Sequence, residues 1–272
     1  MIKLIVSDLD ETLLGADGSI SETNKIAIRK AREAGVKFVP NTGRGFASVQ
    51  PLLKKLDLYD LPDQYVISFN GGAIVENKNQ KVLATNGLTF EQASQIFDIT
   101  RQYKDYDTHI YTLNDVYIYN VQQEDAEYLK TRGVDLKYTD DENLNRFKND
   151  SIMKLLTMHP DMEKRREMKD IILSKVDFDL NVTFSSDMYT EFNHAGTDKG
   201  SATLELAKRL GIKKDEIMAL GDNSNDLPML KSVGMPVAVS NASKEAKEAA
   251  KYVTDADYVS GVAEAINRFV LN

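Results

Sequence analysis

Short apolar runs alternate with amphipathic stretches at both ends of the chain. Residues 2–7 form a run rich in β-branched side chains, which reads as a buried strand. The polar loop Asp8-Leu9-Asp10-Glu11-Thr12 follows. Ser21 stands where a helix N-cap belongs, Ala27, Ala31 and Ala34 share one helical face, and Gly35 marks the stop. Residues 36–39 are the next strand, ending in Asn41-Thr42-Gly43-Arg44. A helix around 46–56 and a strand at Tyr65–Ser68 come next, and the strand runs into Asn70-Gly71-Gly72. Strands alternating with helices predict βαβ units and a parallel sheet.

The middle of the chain breaks that rhythm. Residues 89–103 read as a helix, with Ile96, Ile99 and Tyr103 on one stripe. Segments 108–112 and 116–120 flank Asn114-Asp115 as a hairpin. A helix over Gln123–Arg132, a strand over Ile152–Met158 and a helix over 162–173 follow. Segments 180–184 and 188–192 then form a second hairpin about Ser185-Ser186-Asp187. Hairpins mixed with helices predict an α+β unit with an antiparallel sheet. After Asn193 the first rhythm returns: a helix at Lys199–Leu210 closed by Gly211, then a strand at 216–220 ending in Gly221-Asp222-Asn223. A short helix at 228–232, a strand at 236–239 and a helix at 243–251 opened by Asn241 follow. The chain closes on a strand at 252–254 and a helix at 262–269. The reading is an α/β core made of residues 1–84 and 192–272, with a smaller α+β domain, 85–191, inserted between them.

Composition removes several kinds of chemistry. The 272 residues contain no cysteine, which excludes disulfides, thiolate metal sites, iron–sulfur clusters and a thiol nucleophile. His109, His159 and His194 are the only histidines and lie at no metal-ligand spacing. Lys and Arg total 34 against 42 Asp and Glu, a net charge of −8. Such a chain lacks the broad basic surface of a general nucleic-acid binder. The opening apolar run is too short for a signal peptide, and no window reaches the length of a membrane span. The expectation is a soluble cytoplasmic enzyme, with no nucleic acid and no membrane among its partners and no oligomeric state implied.

Four polar loops follow core strands, and ligands of open α/β sheets bind outside the carboxyl ends of the strands. Asp8 and Asp10 can point into one crevice, as nucleophile and general acid/base or as holders of a divalent cation. Read alone, the same segment is a solvated acidic turn. Thr42-Gly43-Arg44 offers a hydroxyl and a close backbone approach to a phosphate oxygen, or else an ordinary capped turn. Lys199 can offset phosphate charge, or lie on the surface like most lysines. Gly221-Asp222-Asn223-Ser224-Asn225-Asp226 can hold a metal at a loop-to-helix junction, or simply cap a helix; it is too short for an EF-hand.

In this order, Asp-x-Asp, Thr-Gly-Arg, Lys and Gly-Asp-x-x-Asn-Asp resemble the four motifs of the haloacid dehalogenase superfamily. The resemblance spans the chain. An insert between the second and third motifs is similar to a type II, subclass B cap, and the whole to Cof-type phosphatases, sugar-phosphate phosphatases especially. It implies a Rossmann-like core with a parallel sheet flanked by helices. It also implies that Asp8 attacks phosphorus to form an aspartyl-phosphate, and that Asp10 acts as general acid and then base. Thr42, Gly43, Lys199 and Asn225 would bind the phosphoryl group. Mg²⁺ would be held by Asp8, the Asp10 backbone carbonyl and Asp222, with Asp226 in support. The aspartate at position 10 separates the chain from the superfamily's transport ATPases and dehalogenases. Three positions depart from the pattern: Glu11 stands where the family often has glycine, Asn41 where a second threonine is common, and Ser260 where aspartate is usual.

The cap of these enzymes covers the site, so the insert is the expected seat of specificity. Arg44 and Asn193 are the candidate substrate-binding residues. Tyr111, Tyr117, Tyr119 and Tyr189 could stack on a sugar, but tyrosine is common in strands for packing alone. The function expected is hydrolysis of small phosphorylated metabolites, sugar phosphates above all. The alternatives are a phosphomutase of the same superfamily and a non-catalytic phospho-ligand sensor, the latter disfavoured because Asp8 and Asp10 are both present.

Overall fold

The computed structural model describes residues 1–132 and 137–272. In chain order its elements are β1 (Leu4–Ser7), α1 (Glu22–Glu33), β2 (Lys37–Pro40), α2 (Phe46–Lys55), β3 (Tyr65–Ser68), β4 (Ala73–Glu76), β5 (Lys81–Thr85), α3 (Phe90–Thr100), β6 (Asp107–Thr112), β7 (Val116–Tyr119), α4 (Gln123–Arg132) and β8 (Lys137–Thr139). There follow β9 (Ile152–Met158), α5 (Met162–Lys175), β10 (Leu180–Ser185), β11 (Tyr189–His194), α6 (Lys199–Leu210), β12 (Ile217–Gly221), α7 (Leu227–Ser232), β13 (Met235–Ala238), α8 (Lys244–Ala249), β14 (Tyr252–Val253) and α9 (Gly261–Ile266). The elements form two units, Met1–Thr85 with Asp198–Asn272, and Asn86–Thr197. The second crossing falls at 197/198 and not at 191/192, because β11 runs through residue 192 to His194 as the partner of β9 and β10.

The first unit is α/β. Its parallel sheet has the order β14-β13-β12-β1-β2. Every residue of β1 is buried, which is why it reads as an unbroken apolar run and not as an alternation. Ser21 caps α1 by accepting the Asn24 backbone N–H, and Gly35 takes φ +84° just beyond the helix. The helix at 244–249 is capped by Ser243, which accepts the Ala246 N–H, and not by Asn241. Asn241 instead donates to the Glu11 carbonyl and accepts from the Tyr258 N–H. Tyr65–Ser68 is a strand as expected, but among the described residues it joins the parallel sheet through a single bridge, between Asn41 and Ile67. Its main partners are β4 and β5, an antiparallel ribbon that no periodicity announced.

The second unit carries a sheet of order β10-β11-β9-β6-β7-β8, antiparallel except for the β7–β8 pair. Ile110, Leu155 and Phe192 pack with Ile96, Phe97, Met168 and Ile172 of α3 and α5 in one apolar cluster. Strand alternation sends Asp107, His109, Lys154, Glu191 and Asn193 to the opposite face. All five are buried. Lys154 pairs with Glu191 at 2.5 Å, its ammonium 4.8 Å from the centroid of the Tyr111 ring. His109 Nε2 lies 2.6 Å from Asp125 Oδ2, and the Tyr189 hydroxyl donates to Asp125 Oδ1 at 2.5 Å. Tyr117 and Tyr119 stand edge-on to Phe147 and Phe97. No helix among the described residues is long and apolar enough to cross a membrane.

Candidate active site

The strand order decides which loops meet. β1 lies between β12 and β2, with Ser7 opposite both Leu220 and Pro40. The Asp8 N–H donates to the Leu220 carbonyl at 3.0 Å, and the Asn41 N–H to the Ser7 carbonyl at 2.8 Å. The loops after β1, β2 and β12 therefore leave the sheet side by side, at its carboxyl edge. The fourth loop arrives on α6, whose N-cap Asp198 accepts the Gly200 and Ser201 N–H groups at 2.7 and 2.8 Å. Asn41 ties this helix to the second loop, its amide donating to the Lys199 carbonyl at 3.0 Å and to the Thr203 hydroxyl at 3.1 Å.

At the centre lies Lys199, fully buried. Its ammonium donates to Asp8 Oδ1 at 2.5 Å and to Asp226 Oδ1 at 2.7 Å. Burial alone would lower its pKa; Asp226 and Asp8 override that and hold it above the ordinary lysine value. Asp8 is pushed well up by burial. Lys199 pulls the other way, and Asp226, Asp222 and Asp10 add repulsion. Asp222 is raised to about 6 by burial and by Asp226, against the hydrogen bond from the Thr12 hydroxyl at 2.6 Å. Asp226 is anchored through Oδ2 by the Asp222 and Asn223 N–H groups at 2.9 and 3.1 Å. Oxygens of Asp8, Asp222 and Asp226 lie within 4.8 Å of one another, all buried. Even with Lys199 in place the cluster is short of positive charge. An all-oxygen donor set of this kind suits a hard divalent cation.

Asp10 stands apart from that cluster and is exposed. Arg44 grips it with both arms: Nε donates to Asp10 Oδ2 at 3.0 Å and Nη2 to Oδ1. Glu11, where glycine would be usual, takes φ +61°, so the loop keeps a left-handed turn with a residue that disfavours it. Thr42 is buried, its hydroxyl accepting the Arg44 N–H at 3.1 Å. Asn225 is half-buried on the turn that carries Asp226 and makes none of the bonds joining the acidic side chains. Asn193 lies on β11 in the second unit, where its amide donates to the Asn181 carbonyl at 3.3 Å. Thr12, Asn41 and Asn241 were not singled out as site residues, yet each ties a loop in place. Only their position beside a motif could have flagged them.

Residues 5–266 match the haloacid dehalogenase-like hydrolase family. The putative phosphatase YxeH of Bacillus subtilis is 31% identical over all of this chain and 99% of its own length. YcsE of the same organism, a 5-amino-6-(5-phospho-D-ribitylamino)uracil phosphatase, is 31% identical over 99% of this chain and 96% of its own. Among solved structures, TM0651 from Thermotoga maritima superposes with a TM-score of 0.85 at 27% identity, covering both chains fully. BT4131, described as a subclass IIB sugar phosphatase, superposes at 0.83 over 98% of each chain; at 20% identity it is a likeness of fold alone. The chain belongs to the haloacid dehalogenase-like hydrolases. Within them it is a phosphatase of the Cof type.

Proposed function

We propose that the protein is a Mg²⁺-dependent hydrolase of small phosphomonoesters, sugar phosphates foremost, working through a phosphoryl group carried on Asp8. One observation carries this reading: a fully buried lysine holding Asp8 and Asp226 at the carboxyl edge of a parallel sheet, with Asp222 beside them. Asp8 attacks phosphorus, the bond to the leaving oxygen breaks, and Asp10 gives that oxygen a proton. Water then attacks the phosphorylated Asp8 while Asp10 takes its proton, and inorganic phosphate leaves.

A carboxylate approaching a phosphate dianion meets strong repulsion. Lys199 offsets part of it from a fully buried position, where charge counts for more. Thr42, Gly43 and Asn225 would bind the transferring group. Asp8, Asp222 and the Asp10 backbone carbonyl would hold Mg²⁺, with Asp226 behind them. When bound, the ion supplies further positive charge against the same repulsion. The inserted unit, serving as a cap, would set the leaving-group preference, with Arg44 and Asn193 as the first substrate contacts to test.

The test is release of inorganic phosphate from sugar phosphates, nucleotides, pyridoxal phosphate and an aryl phosphate, with Mg²⁺ and with EDTA. Release should need Mg²⁺ and should fall about 10⁴-fold or more in Asp8→Asn, the loss typical of a missing nucleophile. Absence of release from every compound would sink the proposal. Movement of phosphate between two positions of one sugar would make the protein a mutase.

A further inference from the structure

The turn between β3 and β4 carries three consecutive residues of positive φ: Phe69 at +55°, Asn70 at +54° and Gly71 at +100°. Glycine adopts this conformation freely and asparagine tolerates it, but a phenylalanine there is strained. Such strain persists only where the surroundings impose it. Here the Phe69 N–H donates to the Arg44 carbonyl at 3.1 Å, and the Asn70 N–H to the Thr42 carbonyl at 2.9 Å. The Phe69 ring stands edge-on to Phe46, the first residue of α2. On its other side the turn is pressed against α6: a Cβ on Gly71 would lie 2.2 Å from the Asp198 carbonyl oxygen. Gly43 is closed in by the same turn, since a Cβ there would come within 3.1 Å of Asn70 Oδ1.

One strained turn thus touches the loop that presents Thr42 and the residue that caps the helix bearing Lys199. Through Arg44 it also reaches Asp10. We propose that Phe69-Asn70-Gly71 is the positioning element of this site, holding Thr42, Arg44 and Lys199 at fixed spacing, with the Asn70 amide seating the Thr42–Arg44 loop. The proposal rests on the phosphatase reading, and it gives Asn70-Gly71 a purpose that neither the nucleophile nor the metal ligands supply. A misplacement of about 1 Å at a reacting group can cost about 100-fold in rate, a loss of the same order as the strain itself.

Asn70→Gly separates positioning from mere structure. It keeps the left-handed backbone at lower cost and removes only the side chain against Gly43. The expected result is a melting temperature equal to the wild type or higher, KM within about threefold, and kcat lower by about 10- to 100-fold. A wild-type kcat in Asn70→Gly would overturn the proposal. Gly71→Ala must displace the start of α6 and should lose more activity; if it fails to fold, Asn70→Gly carries the test alone. Titration of inorganic phosphate in Mg²⁺ adds a readout without turnover, with binding about tenfold weaker expected in Asn70→Gly. Should the wild type hydrolyse nothing, the phosphatase reading fails by itself, and an unchanged phosphate affinity in Asn70→Gly would sink the positioning role as well.

Discussion

Each unit buries a cluster of acidic side chains, and the two resolve the same electrostatic problem differently. In the first unit Asp8, Asp222 and Asp226 gather around an ammonium, Lys199, delivered by the first turn of α6. In the second, Asp107 and Asp125 gather around an imidazole, His109, with the Tyr189 hydroxyl as an extra donor. Burial, then the charge of Asp125, pushes Asp107 up to about 9. Burial would also raise Asp125, but the hydrogen bond and charge of His109, with the hydrogen bonds of Tyr189 and Asp107, together outweigh it and hold Asp125 below the ordinary carboxylate value. At neutral pH the second cluster is therefore balanced by a proton on Asp107. The first is offset only in part by a fixed cation, which leaves carboxylate oxygens wanting charge. Burying carboxylates together does not by itself make a catalytic site. What sets the first cluster apart is its place at the ends of parallel strands, within reach of loops that can present a hydroxyl, a guanidinium and a second acid.

Removing the cation should break that comparison most severely. Lys199→Met leaves Asp8 and Asp226 facing each other without their ammonium. Loss of one partner of a buried pair costs about 3–5 kcal/mol. Urea denaturation without divalent cations should show a loss of this order, partly restored by Mg²⁺; unchanged stability would mean the pair holds nothing together. Metal removal comes next. Saturating Mg²⁺ at about 100 times its Kd should stabilise the protein by about 2.7 kcal/mol. Asp222→Asn should lose that gain and Asp107→Asn should keep it. The reverse pattern in calorimetry would place the cation in the wrong unit.

The second cluster makes a prediction in pH. The pKa of Asp107 rises from an ordinary 3.8 to about 9 on folding. The stability this gives is complete below the lower value and is lost as pH climbs toward the higher. Asp107→Asn, which cannot ionise, should therefore compare more favourably with the wild type at pH 8 than at pH 5 in urea unfolding. Asp125, held low, changes charge only beneath that window. Equal differences at the two pH values would remove the account of a proton held on Asp107. The smallest effect is expected from Tyr189→Phe, which takes one donor from Asp125 and should cost about 1–2 kcal/mol. Chemical denaturation near neutral pH would measure it.

Much of the first unit was legible because its signals are local. The apolar run of β1, the Ser21 cap and the stops at Gly35 and Gly211 each act within a turn or a few residues. The ribbon of β4 and β5 was not, since Lys81–Thr85 shows no alternation and is largely exposed. The strand at Lys137–Thr139 was missed too, being three residues long and paired in parallel with β7. The sequence pattern ends the second hairpin strand at 192 and the insert at 191, but β11 runs on through His194, because its register with β9 and β10 continues past Phe192. The motif residues could be named from type and order. Their partners could not: Thr12 on Asp222 and Asn41 on Thr203 span 210 and 162 residues of chain.

The sequence by itself determined the alternation of strands and helices, the presence of an inserted α+β unit and the four polar loops that carry the motif residues, because spacing, capping and residue type act at short range. The tertiary structure alone decided that Lys199 is sealed between Asp8 and Asp226, and that Arg44 holds Asp10. It also decided that three left-handed residues brace the loops and that a second acidic cluster lies balanced in the other unit. Those outcomes depend on strand order and register, which pairings between residues far apart in the chain decide and local sequence does not.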